Sequence, residues 1–194
     1  MAKHAAERYT LRAKVFDLVP QFFIVDDQGN MVGYCRQKLF KFREEMILYT
    51  DRSRETELLR IKARHIIDFA ATYDVKLPTG QVIGSLRRKG LKSTFVRDEY
   101  VVFDEHNAQI ATLQEDSAVR ALIRRCIDNA SIFMPQKLYL NDMSGRRIAC
   151  FRQHFNPIVF RIGIAVLEED EQLDDLMLIA ISVLAAVIEG RQSS

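Results

Sequence analysis

The chain has 194 residues, of which 48% are hydrophobic and 28% charged, with a formal net charge of +2 and 4 prolines. This composition excludes an intrinsically disordered or fibrous protein, and the length suits one domain with a substantial core. We therefore predict a single domain over residues 1–194.

The charge is unevenly distributed along the sequence. Six acidic residues lie within Glu168–Asp175, whereas the preceding 167 residues hold 27 Lys and Arg against 19 Asp and Glu. The body of the domain therefore has an excess of positive charge, which favours anionic partners such as phosphates or a lipid surface. A solvated basic surface without any ligand is the alternative interpretation.

Four nine-residue segments share one pattern, in which an apolar run is followed by a turn and a second apolar run. Their eighth positions hold residue types that accept a left-handed backbone conformation, which predicts tight hairpin turns. The segments are Phe22–Asn30, Tyr73–Gln81, Tyr100–Ala108 and Leu138–Arg146, with Gly29, Gly80, Asn107 and Gly145 at the eighth position.

Further strands are predicted between and around the hairpin segments. They are Thr10–Leu18, the pair Glu45–Thr50 and Glu57–Ala63 on either side of a polar turn, Leu91–Arg97, and Ile158–Leu167. Strands that follow one another through short polar turns are typical of an antiparallel sheet or barrel.

The strand pattern is interrupted after Ser117. Apolar residues recur from there at three- and four-residue spacing up to Ile127, which predicts an amphipathic surface helix of about three turns. Arg120, Arg124 and Arg125 would project together from its polar side.

The sequence ends in an almost continuous apolar run, Leu176–Ile188. Asp175 precedes this run and Arg191 follows it, so both ends complement a helix dipole and predict a helix over about residues 174–189. Thirteen residues at 1.5 Å each span about 20 Å, which is too short for a bilayer core of about 30 Å. A helix that is apolar on all faces needs protein around it, and a closed barrel provides that surrounding.

The residue three positions past the end of every hairpin segment is small, which predicts that the helix approaches the barrel wall there. These positions are Gly33, Gly84, Ala111 and Ala149.

A succession of such hairpins, of which Val25–Gly33 is typical, ending in the apolar segment Leu173–Gly190, resembles the LURP-one-related proteins. The resemblance extends from Tyr9 to Gln192. That family is grouped with the tubby C-terminal domain and the phospholipid scramblases. The resemblance implies a mainly β protein, a closed antiparallel tubby-like barrel of about twelve strands around a buried C-terminal helix.

The resemblance also implies a connection with lipids. Tubby domains bind phosphoinositide headgroups, and scramblases are associated with calcium-dependent lipid movement. In scramblases an acidic calcium-binding segment lies before the strand that leads to the last helix. In the matching stretch, Arg152–Pro157, Arg152 and His154 stand in place of carboxylates that a hard cation needs, and Asn156 is the remaining oxygen ligand. Calcium-dependent scrambling is therefore less favoured than headgroup binding.

The densest basic stretch and the arginines of the predicted surface helix are the candidate anion-binding residues. These candidates are Arg87, Arg88, Lys89, Lys92, Arg120, Arg124 and Arg125. Alternation along a strand places Arg87 and Lys89 on one side and Arg88 on the other. For this stretch, an edge strand whose charges prevent aggregation is the alternative interpretation.

Residues suited to catalysis or metal binding show no paired spacing in the sequence. The cysteines, Cys35, Cys126 and Cys150, are typical of buried small apolar side chains. Aspartates beside the hairpin turns are typical of caps for backbone amides. We therefore predict no catalytic residue, no metal site and no cofactor, and the arginines lack a nucleic-acid reading motif.

Together these features predict a non-enzymatic binding or scaffolding protein that recognises anionic phospholipid headgroups, or an acidic protein partner, at a membrane surface. The alternative is a soluble protein-interaction module without a lipid ligand. Residues 1–10 lack the apolar core of a secretory signal, and three cysteines form no disulfide framework. We therefore expect a cytoplasmic location, peripheral at the membrane.

Overall fold

Each of the four hairpin segments forms the predicted turn in the computed structural model of the protein. The residue at the eighth position has a positive φ every time, from 64° at Asn107 to 89° at Gly80. Its amide donates to the carbonyl three residues earlier, as Gly145 does to Asp142 at 3.1 Å. A shift in strand register accompanies each turn, which marks a β-bulge of the same kind in all four hairpins.

Aspartate carboxylates cap three of these four turns, as the sequence predicted. Asp142 Oδ1 accepts from the backbone amides of Ser144 and Arg146, both at 2.8 Å. The Ser144 hydroxyl, the largest contribution, together with these amides lowers the pKa of Asp142 to about 2. Asp26 and Asp104 accept backbone amides in the same way. The remaining hairpin has a leucine at the equivalent position, so its turn lacks a carboxylate cap, and the Thr79 hydroxyl accepts from the Gln81 amide at 3.4 Å instead.

The structure describes residues 6–14, 21–36, 45–64, 71–89, 99–115, 137–154 and 159–192, with the backbone alone for 14 and 187–192. Two predicted elements, the surface helix after Ser117 and the strand Leu91–Arg97, lie outside these residues.

Twelve strands in the described residues form a meander in which each pairs antiparallel with the next, and β1 pairs with β12 to close a barrel. The strands are β1 (Tyr9–Lys14), β2 (Gln21–Asp26), β3 (Met31–Arg36), β4 (Glu45–Tyr49), β5 (Glu57–Ala63), β6 (Thr72–Lys76), β7 (Val82–Arg88), β8 (Glu99–Phe103), β9 (Gln109–Glu115), β10 (Lys137–Asp142), β11 (Arg147–His154) and β12 (Val159–Val166). The predicted mainly β class and closed antiparallel barrel are confirmed.

The helix in the described residues, α1 (Asp175–Gln192), begins within one residue of its predicted start and continues three residues beyond its predicted end. Every side chain in Met177–Ala186 is buried. The hydroxyl of Ser182, which is fully buried, donates to the Ile179 carbonyl at 2.7 Å and so does not remain unsatisfied. The helix therefore fills the barrel as the core of the domain.

The helix meets the barrel wall at Gly84 on β7. A Cβ at this position would lie 2.8 Å from Met177 Cε and 2.7 Å from the Phe103 carbonyl oxygen, so only glycine fits without rearrangement. This contact confirms the predicted close approach at that position. At Gly33, the space beside the glycine is taken by Ile24 of the paired strand instead.

Polar contacts tie the start of β1 to the beginning of α1. The Tyr9 hydroxyl donates to Asp175 Oδ2 at 2.8 Å. Arg8 donates from Nη1 to Asp175 Oδ1 at 3.1 Å and from Nη2 to Glu169. Burial, with a contribution from the Asp175 hydrogen bond, raises the pKa of Tyr9 to about 12. A pocket of about 10 Å³ beside these residues has room for about one water molecule.

Candidate functional site

The three consecutive cations predicted to bind anions, Arg87, Arg88 and Lys89, do not form one patch. Arg87 is exposed on the outer wall, and its guanidinium carbon lies 4.6 Å from the centre of the Phe103 ring. Lys89 is also exposed, and its ammonium pairs with Glu99 at 2.7 Å. Arg88 lies on the opposite side of the strand, in register with the buried Tyr100. The predicted alternation is confirmed, and it leaves Arg87 as the outward cation stacked on an aromatic ring.

The alternative interpretation of this stretch as a charged edge strand is wrong. β7 pairs with β6 on one side and with β8 on the other, because the barrel is closed. The other predicted candidates, Lys92, Arg120, Arg124 and Arg125, lie outside the described residues.

A larger group of cations lies on the outer wall where β10, β11, β12 and β1 run side by side. Most of their neighbours along the strands are core residues, among them Leu11, Leu138, Phe151 and Ile162, so alternation directs these side chains outward. We call this surface the basic face, which consists of Arg12, Lys137, Arg152, His154 and Arg161.

Strand register places like charges of the basic face directly opposite one another. Lys137 is paired with Arg152 across β10 and β11, and Arg12 is paired with Arg161 across β1 and β12. Directly opposed like charges destabilise an antiparallel sheet. The two opposed pairs therefore disfavour the folded state wherever no anion lies beside them.

One carboxylate in the described residues, that of Glu7, contacts the basic face. Glu7 Oε1 lies 2.5 Å from His154 Nε2, and Oε2 accepts from Arg161 Nη2 at 3.2 Å. The Thr10 hydroxyl lies 3.5 Å from the same Oε2. With four Lys and Arg side chains against one carboxylate, the face keeps a net positive charge.

Another arginine borders the basic face at the turn end of the barrel. The guanidinium carbon of Arg147 lies 3.9 Å from the centre of the Tyr139 ring, which is cation–π geometry. A guanidinium that stacks on an aromatic ring can still donate hydrogen bonds from the N–H groups in its own plane. Arg147 therefore extends the positive surface beyond the five residues of the basic face.

The cysteines in the described residues have environments that disfavour thiolate chemistry. Burial raises the pKa of the Cys35 thiol to about 12, and burial also raises the pKa of Cys150. Cys35 is buried as predicted, whereas Cys150 is only half-buried and faces outward beside Tyr139. Cys126 lies outside the described residues. Thiols with raised pKa values are poor nucleophiles and poor metal ligands near neutral pH.

Within the described ranges, no group of three or more His, Cys, Asp or Glu side chains is placed to hold a metal ion. Asn156, the remaining oxygen ligand of the stretch that resembles the scramblase calcium segment, lies outside those ranges. In the same part of the chain, no helix combines the length and apolarity needed to cross a bilayer.

The basic face was missed by sequence reasoning because its members come from opposite ends of the chain. Arg12 and Arg161 become neighbours only when β12 closes on β1, and no hairpin signature predicts that pairing. A usable signal was present within the strands, since Arg12 lies between Leu11 and Ala13, which turned out to be core. Two neighbouring strands that each carry a cation at an outward position would have indicated the basic face.

Comparisons with known proteins were made for the whole chain. No protein-family model and no curated protein matches the sequence. Among solved structures, the chain is similar to the X-ray structure of a protein from Arabidopsis thaliana, with 13% identity and a TM-score of 0.49. The match covers 97% of this chain and 94% of that chain. The barrel architecture given above is established by the strand pairing of this protein itself.

Proposed function

We propose that this protein is a non-enzymatic binding protein whose basic face docks on an anionic phospholipid surface. The observation that carries the proposal is the pair of directly opposed like charges, Lys137 with Arg152 and Arg12 with Arg161. Cross-strand pairs change stability by about 0.2–1 kcal/mol, and Glu7 offsets part of the repulsion at Arg161. Phosphate groups placed between the cations would remove this repulsion, so the face is better suited to a bound anion than to water.

The chemistry of the face fits phosphate. Three of its five members are arginines, whose planar guanidinium donates two parallel hydrogen bonds to a phosphate. The cations lie on adjacent strands that are about 4.8 Å apart, so several can reach neighbouring headgroups of a flat lipid surface at once. Each Lys or Arg near an anionic membrane contributes about 1 kcal/mol of attraction.

The filled interior of the barrel supports a binding role rather than catalysis. α1 occupies the space in which a barrel enzyme or carrier would hold its substrate, and the pocket beside its N-terminus has a volume of about 10 Å³. Ligand pockets are typically at least about 300 Å³. The outer wall is therefore where we place the function.

Co-sedimentation with vesicles tests this function. We expect the protein to pellet with phosphatidylcholine vesicles that contain phosphatidylserine, and to stay in the supernatant with phosphatidylcholine alone. Added salt should weaken the binding, because exposed charges are screened over about 10 Å at 0.1 M. Addition of calcium should leave it unchanged. Absence of binding in every condition would contradict the proposal and leave the protein-interaction module as the remaining function.

Arg87, which is one of the two sequence candidates exposed on the outer wall in the described residues, provides a separate test in this assay. Arg87 lies on β7, away from the four strands of the basic face. We expect Arg87→Gln to weaken vesicle binding less than any substitution within the basic face. A larger loss for Arg87→Gln would move the proposed docking surface to β7.

We also propose that the chain belongs with the LURP-one-related proteins. The support is the set of four hairpins with the same turn and bulge, followed by an apolar helix enclosed by the strands. Fold alone does not fix activity, so the lipid proposal depends on the charges of the basic face and not on this family assignment.

A further inference from the structure

The carboxylate of Glu7 lies in the middle of the basic face and is held by donors from three strands. His154 Nε2 on β11 lies 2.5 Å from one oxygen, while Arg161 Nη2 on β12 and the Thr10 hydroxyl on β1 lie 3.2 and 3.5 Å from the other. Three donors that converge on one small anionic group form the arrangement that an anion-binding site requires.

The carboxylate does not use all the donors that surround it. Arg161 Nε is buried and has no hydrogen-bond partner in the described part of the chain. A buried N–H without a partner is unfavourable, and a carboxylate has only two oxygens, which are already shared among three donors. A phosphate group has additional oxygens, so it can accept from Nη2 and Nε of the same guanidinium in bidentate geometry.

Gly163 makes the space for this anion. The glycines with positive φ in the described residues are Gly29, Gly80 and Gly145, so the backbone at Gly163 does not itself require glycine. A Cβ at Gly163 would overlap the Glu7 carboxylate, and the three atoms nearest to that Cβ all belong to Glu7. The missing side chain therefore leaves a recess on the outer wall, and the Glu7 carboxylate fills it.

We propose that this recess, formed by Thr10, His154, Gly163 and Arg161, is a binding site for a phosphate group, and that Glu7 occupies it in the free protein. The ligand class is a phosphate ester, either a lipid headgroup or a soluble phosphate. Only the choice of a lipid as the source rests on the proposed function.

Exchange of the carboxylate for phosphate requires little movement of the chain. The backbone amide of Arg8 donates to the Ile164 carbonyl at 2.8 Å, and the Arg8 side chain pairs with Asp175 and Glu169. The residue next to Glu7 is thus fixed, and rotation of the Glu7 side chain alone opens the recess. Glu7 then competes with every external anion, which sets the affinity of the site.

Titration with inorganic phosphate at constant ionic strength tests the site, with the imidazole proton resonances of His154 as the direct readout. The protein has 4 histidines, so the His154→Gln spectrum assigns the signal. We expect a saturable shift in the wild type and a shift at about fivefold lower phosphate in Glu7→Ala, because a like charge and a competitor are removed. Glu168→Ala removes the same charge from the turn end and should leave the midpoint unchanged.

Gly163→Ala distinguishes a shaped site from diffuse attraction, because it changes no charge. The added methyl group fills the recess, and the side chain that must move is the flexible end of Glu7, so the barrel should remain folded by circular dichroism. We expect the phosphate-dependent shift of His154 to be lost. An unchanged titration in a folded Gly163→Ala protein, or no effect of Glu7→Ala, would overturn the proposed site.

The same variants separate this inference from the lipid proposal. Tighter binding of Glu7→Ala, and weaker binding of Gly163→Ala, to vesicles that contain phosphatidylserine would support a lipid headgroup as the ligand. A phosphate shift without vesicle binding would support the site and contradict the proposed lipid function. Vesicle binding that is the same for wild type, Glu7→Ala and Gly163→Ala would overturn the recess as the place where the headgroup binds.

Discussion

Two regions of the outer wall carry at least four cations each in the described residues, and in one of them acidic side chains offset most of the charge. On β4–β6, Arg60 lies directly opposite Lys76, but Glu57 accepts two hydrogen bonds from Arg60, at 2.8 and 3.0 Å, and Glu45 lies 3.4 Å away. We call this region the charge-paired face, which consists of Glu45, Glu57, Arg60, Lys62, Arg64, Asp74 and Lys76.

The basic face has the same strand geometry with less compensation, since Glu7 is the one carboxylate in the described residues that contacts its cations. On the charge-paired face, Lys62 lies in register with Glu45 on one side and with Asp74 on the other. On the basic face, the residue opposite Arg152 on β10 is a lysine, and the residue opposite it on β12 is Gly163. An acidic residue could occupy either of these two positions without disturbing the strands. The repulsion therefore comes from the choice of residues and not from the barrel geometry. This contrast is the reason for placing an anion on the basic face.

Both faces depend on the same hydrophobic core, so the largest effect on stability is expected from a core substitution that unfolds the whole barrel. Leu184 of α1 is 2% exposed. Leu184→Asp should unfold the domain, because an unpaired carboxylate in an apolar core costs several kcal/mol, about as much as a domain has to spare. Circular dichroism would show the loss of structure, with Leu184→Met as the folded control. A cooperative, fully folded Leu184→Asp protein would contradict a buried α1.

A smaller effect should distinguish the two faces directly. Arg12→Glu turns the like-charge pair with Arg161 into an opposite-charge pair and should stabilise the protein by about 0.5 kcal/mol. Lys76→Glu makes the same change opposite Arg60 and should give less, because Arg60 already donates two hydrogen bonds to Glu57 and one to Glu45, whereas Arg161 donates one to Glu7. The free energy of unfolding in urea measures both. Equal stabilisation by the two substitutions would show that the faces do not differ in repulsion.

The smallest effect concerns the hairpins that carry the two faces. Asp142, in the hairpin of the basic face, has a pKa lowered to about 2 from an ordinary value of 3.8, chiefly by the Ser144 hydroxyl. A lowered carboxyl pKa stabilises the fold above the ordinary value, and this stabilisation is lost as the pH falls through about 2. The wild type should therefore melt higher than Asp142→Asn near neutral pH, and the gap should close toward about pH 2.

Leu77 holds the equivalent position in the β6–β7 hairpin of the charge-paired face and provides the control. Leu77→Asn should change the melting temperature by the same amount at both ends of this pH range. A gap between wild type and Asp142→Asn that does not depend on pH would contradict the capping role of the carboxylate.

The architecture could be predicted because its signals are local. The turn at Gly145 needs a residue that accepts positive φ, and the apolar strands around it lie within a few residues along the chain. The terminal helix was predictable from composition alone, since a run without a polar face must be enclosed. The prediction of a closed barrel followed from the need to surround this apolar helix with protein, and not from any sequence motif.

The candidate site could not be predicted because its signals are not local. Glu7, His154 and Arg161 meet through the pairing of β11 with β12 and of β12 with β1, and the sequence gives no register for strands so far apart. Arg87 and Arg88 are adjacent in the sequence, but strand alternation places them on opposite sides of the wall, as predicted. Residues that are adjacent in the sequence, such as Arg87 and Arg88, are therefore separated in the fold, whereas residues of the basic face such as Arg12 and Arg161 are distant in the sequence and adjacent in the fold.

Vesicle binding by two charge-matched double variants tests the central claim most directly. Arg12→Gln with Arg152→Gln removes two positive charges from the basic face, and Lys62→Gln with Lys76→Gln removes two from the charge-paired face. Neither pair alters Glu7 or Gly163, so the assay is independent of the proposed phosphate recess.

We expect the first double variant to lose about thirtyfold in affinity for vesicles that contain phosphatidylserine, since each cation contributes about 1 kcal/mol. The second should stay within about twofold of the wild type, because its charges lie away from the proposed docking surface. Equal losses in the two variants would show that binding follows net charge alone, and would contradict a docking role for the basic face.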